Sequence, residues 1–214
     1  MSLARLLGLF RSRRLDLKPP QYLIIGLGNK GKEYEATRHN VGFDLADRFA
    51  QSLKGAHERR MRFSTVLTGE LESGLVVALA KPTTYMNRSG LAVRELLERY
   101  QMSAADCLVA VDDFNLDLGV LRFRKSGSDG GHNGLKSIIQ TIGKGFPRLR
   151  MGIGPLPDGT TVVDFVLGRF EPAEMERKEE MIITAGEAVA YYIEAGIAAT
   201  MNKYNAGSVR EGAV

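Results

Sequence analysis

The sequence predicts one α/β domain of three layers, with a sheet covered by helices on both faces. Three observations carry this. The 214 residues suit a single domain with a full core. Hydrophobic residues are 44% and charged residues 25% of the chain, the balance of a globular protein. Short unbroken apolar runs, as in strands buried on both faces, alternate with stretches of helical periodicity.

Taken in order, residues 1–20 form a basic extension ended by Pro19-Pro20. Its Arg5, Arg11, Arg13, Arg14 and Lys18 against Asp16 carry the whole net charge of +4. The rest of the chain is formally neutral, so a nucleic-acid role needs a local basic patch. Met1 to Arg14 is basic and amphipathic, as transit peptides and RNA-contacting arms are; a flexible terminus is the expectation. Tyr22 to Leu27 predicts a buried strand, and Gly26 to Thr37 a loop. Val41, Leu45, Ala46, Phe49, Ala50 and Leu53 recur at helical spacing across Asn40 to Leu53.

Phe63 to Leu71 and Leu75 to Ala80 predict two strands joined at Glu72-Ser73-Gly74. Ser89 to Tyr100 predicts a helix, and Cys107 to Val111 a buried strand ending at Asp112. Val120 to Arg124 alternates, with Leu121 and Phe123 opposite Arg122 and Arg124. Lys125 to Gly131 is a Gly/Ser loop, His132 to Ile142 a helix and Arg148 to Ile153 a strand. After the loop Pro155 to Thr161, Pro172 to about Gly196 predicts a long helix, with proline and acids in its first turn. No apolar run approaches the ~18 residues of a membrane span. Cys107, the single cysteine, excludes an intramolecular disulfide, fits a reducing compartment, and is expected as a small buried hydrophobe.

Four polar clusters follow apolar runs: Thr37 to Phe43, Lys81 to Asn87, Asp112-Asp113, and Gly130 to Gly134. In open α/β sheets sites form beyond the carboxyl ends of strands, so Asn29, His39, Asn87, Asp112 and Asn133 are expected to converge. The macrodipole at a helix start disfavours imidazolium at His39, and a carboxylate at Asp112 would orient the ring as a general base. Singly, Asn40, Asn87 and Asn133 read as helix caps, Asp112-Asp113 as a turn, His132 as structural, and Arg122 and Arg124 as a solvated face. It is the agreement of four clusters that favours one site. Three histidines and one cysteine show no paired metal-ligand spacing. Gly26-Leu27-Gly28-Asn29-Lys30-Gly31 fits G-x-G-x-x-G, but no helix opens on it, so these glycines read as a turn presenting Asn29 rather than as a dinucleotide site.

The segments Gly26 to Asn29, Tyr34, Thr37 to Phe43, Lys81 to Gly90, Gly130 to Leu135 and Arg148 to Gly154 resemble, in order, the bacterial-type peptidyl-tRNA hydrolases. The resemblance runs from about Tyr22 to about Tyr192. It implies a monomer with a central mixed sheet, a catalytic domain over 21–205 with 206–214 as a tail, and no cofactor or metal. The implied reaction is hydrolysis of the ester joining a peptide to the 3′-terminal ribose of tRNA. By position His39 would be the base, Asp112 its partner and Asn29 a catalytic neighbour. Tyr34, Met86, Asn87, His132 and Asn133 would line the substrate crevice, and Arg122, Arg124 and Arg150 would contact the acceptor stem. A bacterial cytoplasm and no membrane partner are expected, with an organelle left open by the basic terminus. The chain departs from the family pattern at Lys30, Val111, Asn115 and Asp129. The alternative weighed is a catalytically inactive RNA-binding protein on the same fold; retention of His39, Asp112, Asn29 and Asn87 together argues against it.

Overall fold

The computed structural model describes residues 18–205. The expected extension and the tail at 206–214 therefore lie outside the described residues, apart from the extension's last three positions. Seven strands form one sheet: β1 (Tyr22–Gly26), β2 (Lys54–Arg60), β3 (Ser64–Glu70), β4 (Val76–Pro82), β5 (Cys107–Asp117), β6 (Leu121–Arg124) and β7 (Arg148–Gly154). Their spatial order is β2-β3-β4-β1-β5-β7-β6. The central strands β4, β1, β5 and β7 are parallel, while β2, β3 and β6 pair antiparallel.

Alternation along the central strands divides the core. Ile24, Leu79 and Leu108 face α1 (Val41–Ala50) and α5 (Met175–Tyr204). Leu23, Ile25, Val109 and Val111 face α2 (Ser89–Tyr100) and α3 (Asn133–Ile142). Both layers must be apolar because both faces of β1 are buried, which is why its sequence reads as a continuous run. Cys107 is a fully buried member of the second layer. Val111 lies in that layer too, so its departure from the family pattern falls on a core position.

The first glycines serve packing. A Cβ on Gly26 would stand 1.9 Å from the Gly42 carbonyl oxygen, and one on Gly42 would stand 2.4 Å from that of Leu27. The loop after β1 and the start of α1 thus touch backbone to backbone, which brings Asn29 and His39 into one neighbourhood.

Four elements depart from expectation. β5 does not end at Val111 but runs on to Asp117, so Asp112 and Asp113 are strand residues and not a turn. β2 was not anticipated: all seven of its residues are exposed and it carries no apolar period. A short helix, α4 (Val162–Leu167), follows the loop at 155–161. α5 continues past Gly196, where the backbone kinks at φ 77°. By length and composition α5 also matches a membrane span, although no unbroken apolar run announced it. Its Met181, Ile182, Ala185 and Val189 are buried in the core layer it shares with α1.

Candidate active site

His39 sits in a single 3₁₀ turn, Arg38–Asn40, directly before α1, and is 8% exposed. Its Nδ1 lies 2.8 Å from Asp112 Oδ1. The Nε2 of His132 lies 3.0 Å from the same oxygen. His132 occupies the N-cap of α3, where its Nδ1 accepts the backbone N–H groups of Gly134 and Leu135 at 3.0 and 3.2 Å. An accepting Nδ1 carries no proton, so the His132 proton is on Nε2 and is donated to Asp112.

Burial by itself would raise the Asp112 carboxyl, but its electrostatic attraction to the ring N–H groups of His39 and His132 and the hydrogen bonds they donate outweigh it and hold it well below the usual carboxylate range. Asp112 is therefore an acceptor, and His39 donates Nδ1–H to it. In the neutral ring this leaves the lone pair on His39 Nε2. The donor atoms of His39, Asp112 and His132 lie within 4.8 Å of one another, close enough to gather around a cation. As arranged, Asp112 Oδ1 already accepts both ring protons, so cation binding would require displacing them.

Asn29 is fastened on three sides. Its N–H donates to Asn40 Oδ1 at 2.8 Å, and Asn40 Nδ2 donates to its carbonyl at 3.1 Å. The Met86 N–H donates to Asn29 Oδ1 at 2.8 Å. The Asn29 Nδ2 group has no partner among the described residues. Asn40 stands at the N-cap of α1 but makes no side-chain cap; it binds the Asn29 loop instead. Nor do Asn87 and Asn133 cap their helices: Arg88 and His132 hold those positions, and both asparagines are exposed.

A pocket of ≈ 60 Å³ joins His39, Asp112, His132 and Asn133 to Phe114 and to Val162, Val163 and Val166 of α4. A wider cleft of ≈ 700 Å³ opens on the other side of Asn29. Met86 is buried and lines neither cavity, with its Sδ close enough to α3 that a Cβ on Gly134 would stand 2.6 Å from it. Tyr34 is half-buried and lines neither cavity, so the structure does not bring it into the cluster. Asn87 lines neither as well.

Antiparallel pairing sets Arg122 opposite Arg150 and Arg124 opposite Arg148 on one face. Arg124 is exposed and Arg122 partly so. Arg150 is paired with the buried carboxylate of Asp113 and also borders the small pocket. Arg148, 1% exposed, is not at the surface at all: its guanidinium donates to the carbonyls of Gly127, Ser128, Lys144 and Phe146. It anchors the Gly/Ser loop. Asp129 tightens the same loop by accepting the Gly131 N–H at 2.9 Å, and Asn115 folds back onto Asp113 at 3.0 Å.

Residues 23–212 match the profile of the family described as peptidyl-tRNA hydrolase. The chain belongs to the peptidyl-tRNA hydrolase family. A peptidyl-tRNA hydrolase of Dehalococcoides mccartyi is 48% identical, over 86% of this chain and 98% of that one. One from Synechocystis is 43% identical, over 86% and 95%. The crystal structure of peptidyl-tRNA hydrolase from Acinetobacter baumannii superposes with a TM-score of 0.81 at 35% identity, over 89% of this chain and 97% of that one. The mixed sheet, the helix layers and the hydrolase activity expected from the resemblance are those of this family, and the chain is an enzyme that hydrolyses peptidyl-tRNA.

One contributor was expected in the site without its role, and one escaped sequence reasoning. The turn at His132 gave no sign that its ring would cap α3 and reach Asp112 at once. Arg38, beside His39, is buried and holds the segment after α4: its guanidinium donates to the Arg169 carbonyl, pairs with Glu174 at 2.6 Å and lies 4.5 Å from the Phe165 ring centroid. Its position between Thr37 and His39 is the one signal the sequence carries.

Proposed function

We propose that this peptidyl-tRNA hydrolase works by general-base catalysis at His39. The observation that supports the reading is the shared Asp112 oxygen, which holds the Nδ1–H of His39 and leaves Nε2 with a lone pair. Nε2 takes a proton from water as its oxygen attacks the ester carbonyl carbon. The tetrahedral intermediate collapses with cleavage of the bond to the ribose oxygen, and His39 returns the proton to that oxygen. Asp112 stays ionised and stabilises the imidazolium between the two steps.

The developing oxyanion needs donors. The unpartnered Nδ2 of Asn29 is one, and the exposed amides of Asn87 and Asn133 are available to bind the substrate's main-chain carbonyl and N–H groups. Met86 backs this arrangement through its bond to Asn29, and His132 acts on Asp112. Tyr34 lines neither cavity, and its share in this reading is contact with substrate outside them. Arg122 and Arg124 contact phosphates of the acceptor stem; Arg150 does so by sharing its charge with Asp113.

The reading takes the enzyme to act as a monomer. The lone buried cysteine accords with a reducing cytoplasm. This reading invokes no cofactor and no membrane partner.

The test is single-turnover hydrolysis of an N-acylated aminoacyl-tRNA. His39→Ala should lower the rate by roughly a hundredfold or more, the scale of a lost general base, and a free-amine aminoacyl-tRNA should be cleaved far more slowly. Wild-type rates from His39→Ala would refute the assignment.

A further inference from the structure

We infer that Asn205 is a positioning residue for tRNA binding: it holds β6 so that Arg122 and Arg124 meet phosphates of the acceptor stem. This rests on the reading above, in which those two arginines contact RNA. Asn205 Oδ1 accepts the Phe123 N–H at 2.7 Å, and its Nδ2 donates to the Phe123 carbonyl at 2.9 Å. A side-chain amide thus offers β6 one acceptor and one donor, as the backbone of a further strand would.

The residue it grips lies between the two arginines. Along an antiparallel strand, successive residues turn their N–H and C=O groups to opposite edges. Phe123 turns its pair to Asn205, so Arg122 and Arg124 turn theirs to β7, where they stand opposite Arg150 and Arg148. Side chains alternate between faces in the same way. Phe123 is fully buried in the layer shared with α5, so both arginine side chains project from the other face. Asn205 therefore acts on both arginines through the backbone of Phe123. The hold has work to do, because β6 has four residues and pairs with one strand only among the described residues. Like charges set directly opposite each other weaken that pairing, and here two arginine pairs are so placed.

The end of α5 delivers this amide. Before Gly196, Ile182, Ala185 and Val189 pack into the core layer shared with α1. At Gly196 the backbone leaves helical geometry, with φ 77°. The segment beyond this bend is tied back to the helix before it. Lys203 Nζ lies 4.1 Å from the Tyr191 ring centroid and 5.3 Å from that of Tyr204, and the two rings are 6.0 Å apart. Tyr204 in turn lies 6.3 Å from the Phe123 ring. Asn205 follows it directly, at the C-cap of α5. Its amide therefore reaches β6 from a backbone already fixed by packing.

The experiment measures binding of deacylated tRNA across a salt series, and kcat and KM for an N-acetyl-aminoacyl-tRNA. Asn205→Leu removes both bonds at nearly constant shape, and Asn205→Asp keeps only the acceptor. Each is made in wild type and in an Arg122→Ala/Arg124→Ala enzyme, and thermal melting checks folding. Asn205→Leu should weaken tRNA binding by roughly fivefold, about 1 kcal/mol. The slope of log affinity against log salt should flatten by about one, as for one lost phosphate contact. KM should rise while kcat stays unchanged, and Asn205→Asp should fall between Asn205→Leu and wild type. Without the two arginines, the Asn205 substitutions should have no further effect on binding. A lower kcat at unchanged KM, unchanged binding, or an equal loss with the arginines absent would overturn the inference. Should Asn205→Leu fail to fold, Asn205→Asp decides by the same readings. If the Arg122→Ala/Arg124→Ala enzyme binds tRNA like wild type, the phosphate reading fails and the inference with it. An idle Asn205 beside an effective arginine pair overturns the inference alone.

Discussion

His132 donates its Nε2–H to the same Asp112 oxygen that receives the Nδ1–H of His39, over distances of 3.0 and 2.8 Å. The second histidine therefore helps keep Asp112 ionised, while its other nitrogen is committed to capping α3. It acts through another residue and needs no contact with substrate.

These two roles can be separated. In His132→Asn a short amide can still cap the helix but cannot reach Asp112. The variant should melt near wild type while kcat falls roughly tenfold, about 1.4 kcal/mol. His132→Ala should lose the same kcat and also about 1 kcal/mol of stability from the missing cap. Unchanged kcat in both variants would show that the His132–Asp112 bond is idle.

Asp112→Asn should reduce kcat by roughly a thousandfold or more, the scale seen when the carboxylate of a His–Asp pair becomes an amide. Stability carries a pH signature. The folded pKa of Asp112 lies below its unfolded value, which is near about 4. Its contribution is therefore full above that pH and is lost as pH falls below it. Urea titrations at neutral pH and near pH 3 should show the gap between wild type and Asp112→Asn shrinking on acidification.

Arg148→Met should destabilise the fold by roughly 3 kcal/mol, because four loop carbonyls lose a charged donor. Burial, with Arg150 nearby, lowers its pKa only to about 10, so the guanidinium is charged at neutral pH. Urea denaturation gives the magnitude. Hydrogen exchange should rise first across 125–131, the loop it anchors.

Arg38→Met should free the segment that follows α4 while sparing the sheet. Arg38 holds that segment through the Arg169 carbonyl, Glu174 and the rings of Phe165 and Phe170. Hydrogen exchange over 162–174 should increase, and KM should rise, since Val162, Val163 and Val166 wall the small pocket beside His39. A KM equal to wild type would show that α4 needs no such tether.

The core strands, four of the helices and the polar clusters were legible locally. Tyr22 to Leu27 and Cys107 to Val111 are apolar because both faces of a central strand are buried, and Ser89 to Tyr100 is a helix because its apolar side must meet the sheet. The family was legible for a related reason: a site at strand ends draws on short contiguous segments. What escaped depends on neighbours distant in the chain. β2 is a strand only because β3 pairs with it; seven exposed residues hold no period of their own. Asp112 is a strand residue because β7 extends the ladder past Val111, while local pattern marks only where apolarity stops. Asn40 binds the Asn29 loop and His132 caps α3 because a polar side chain takes whichever partner folding brings within reach. Sequence by itself determined which apolar runs are buried and which chemistry is available. Tertiary structure alone decided which nitrogen of His39 carries the proton, since that follows from a hydrogen bond made across 73 residues of chain.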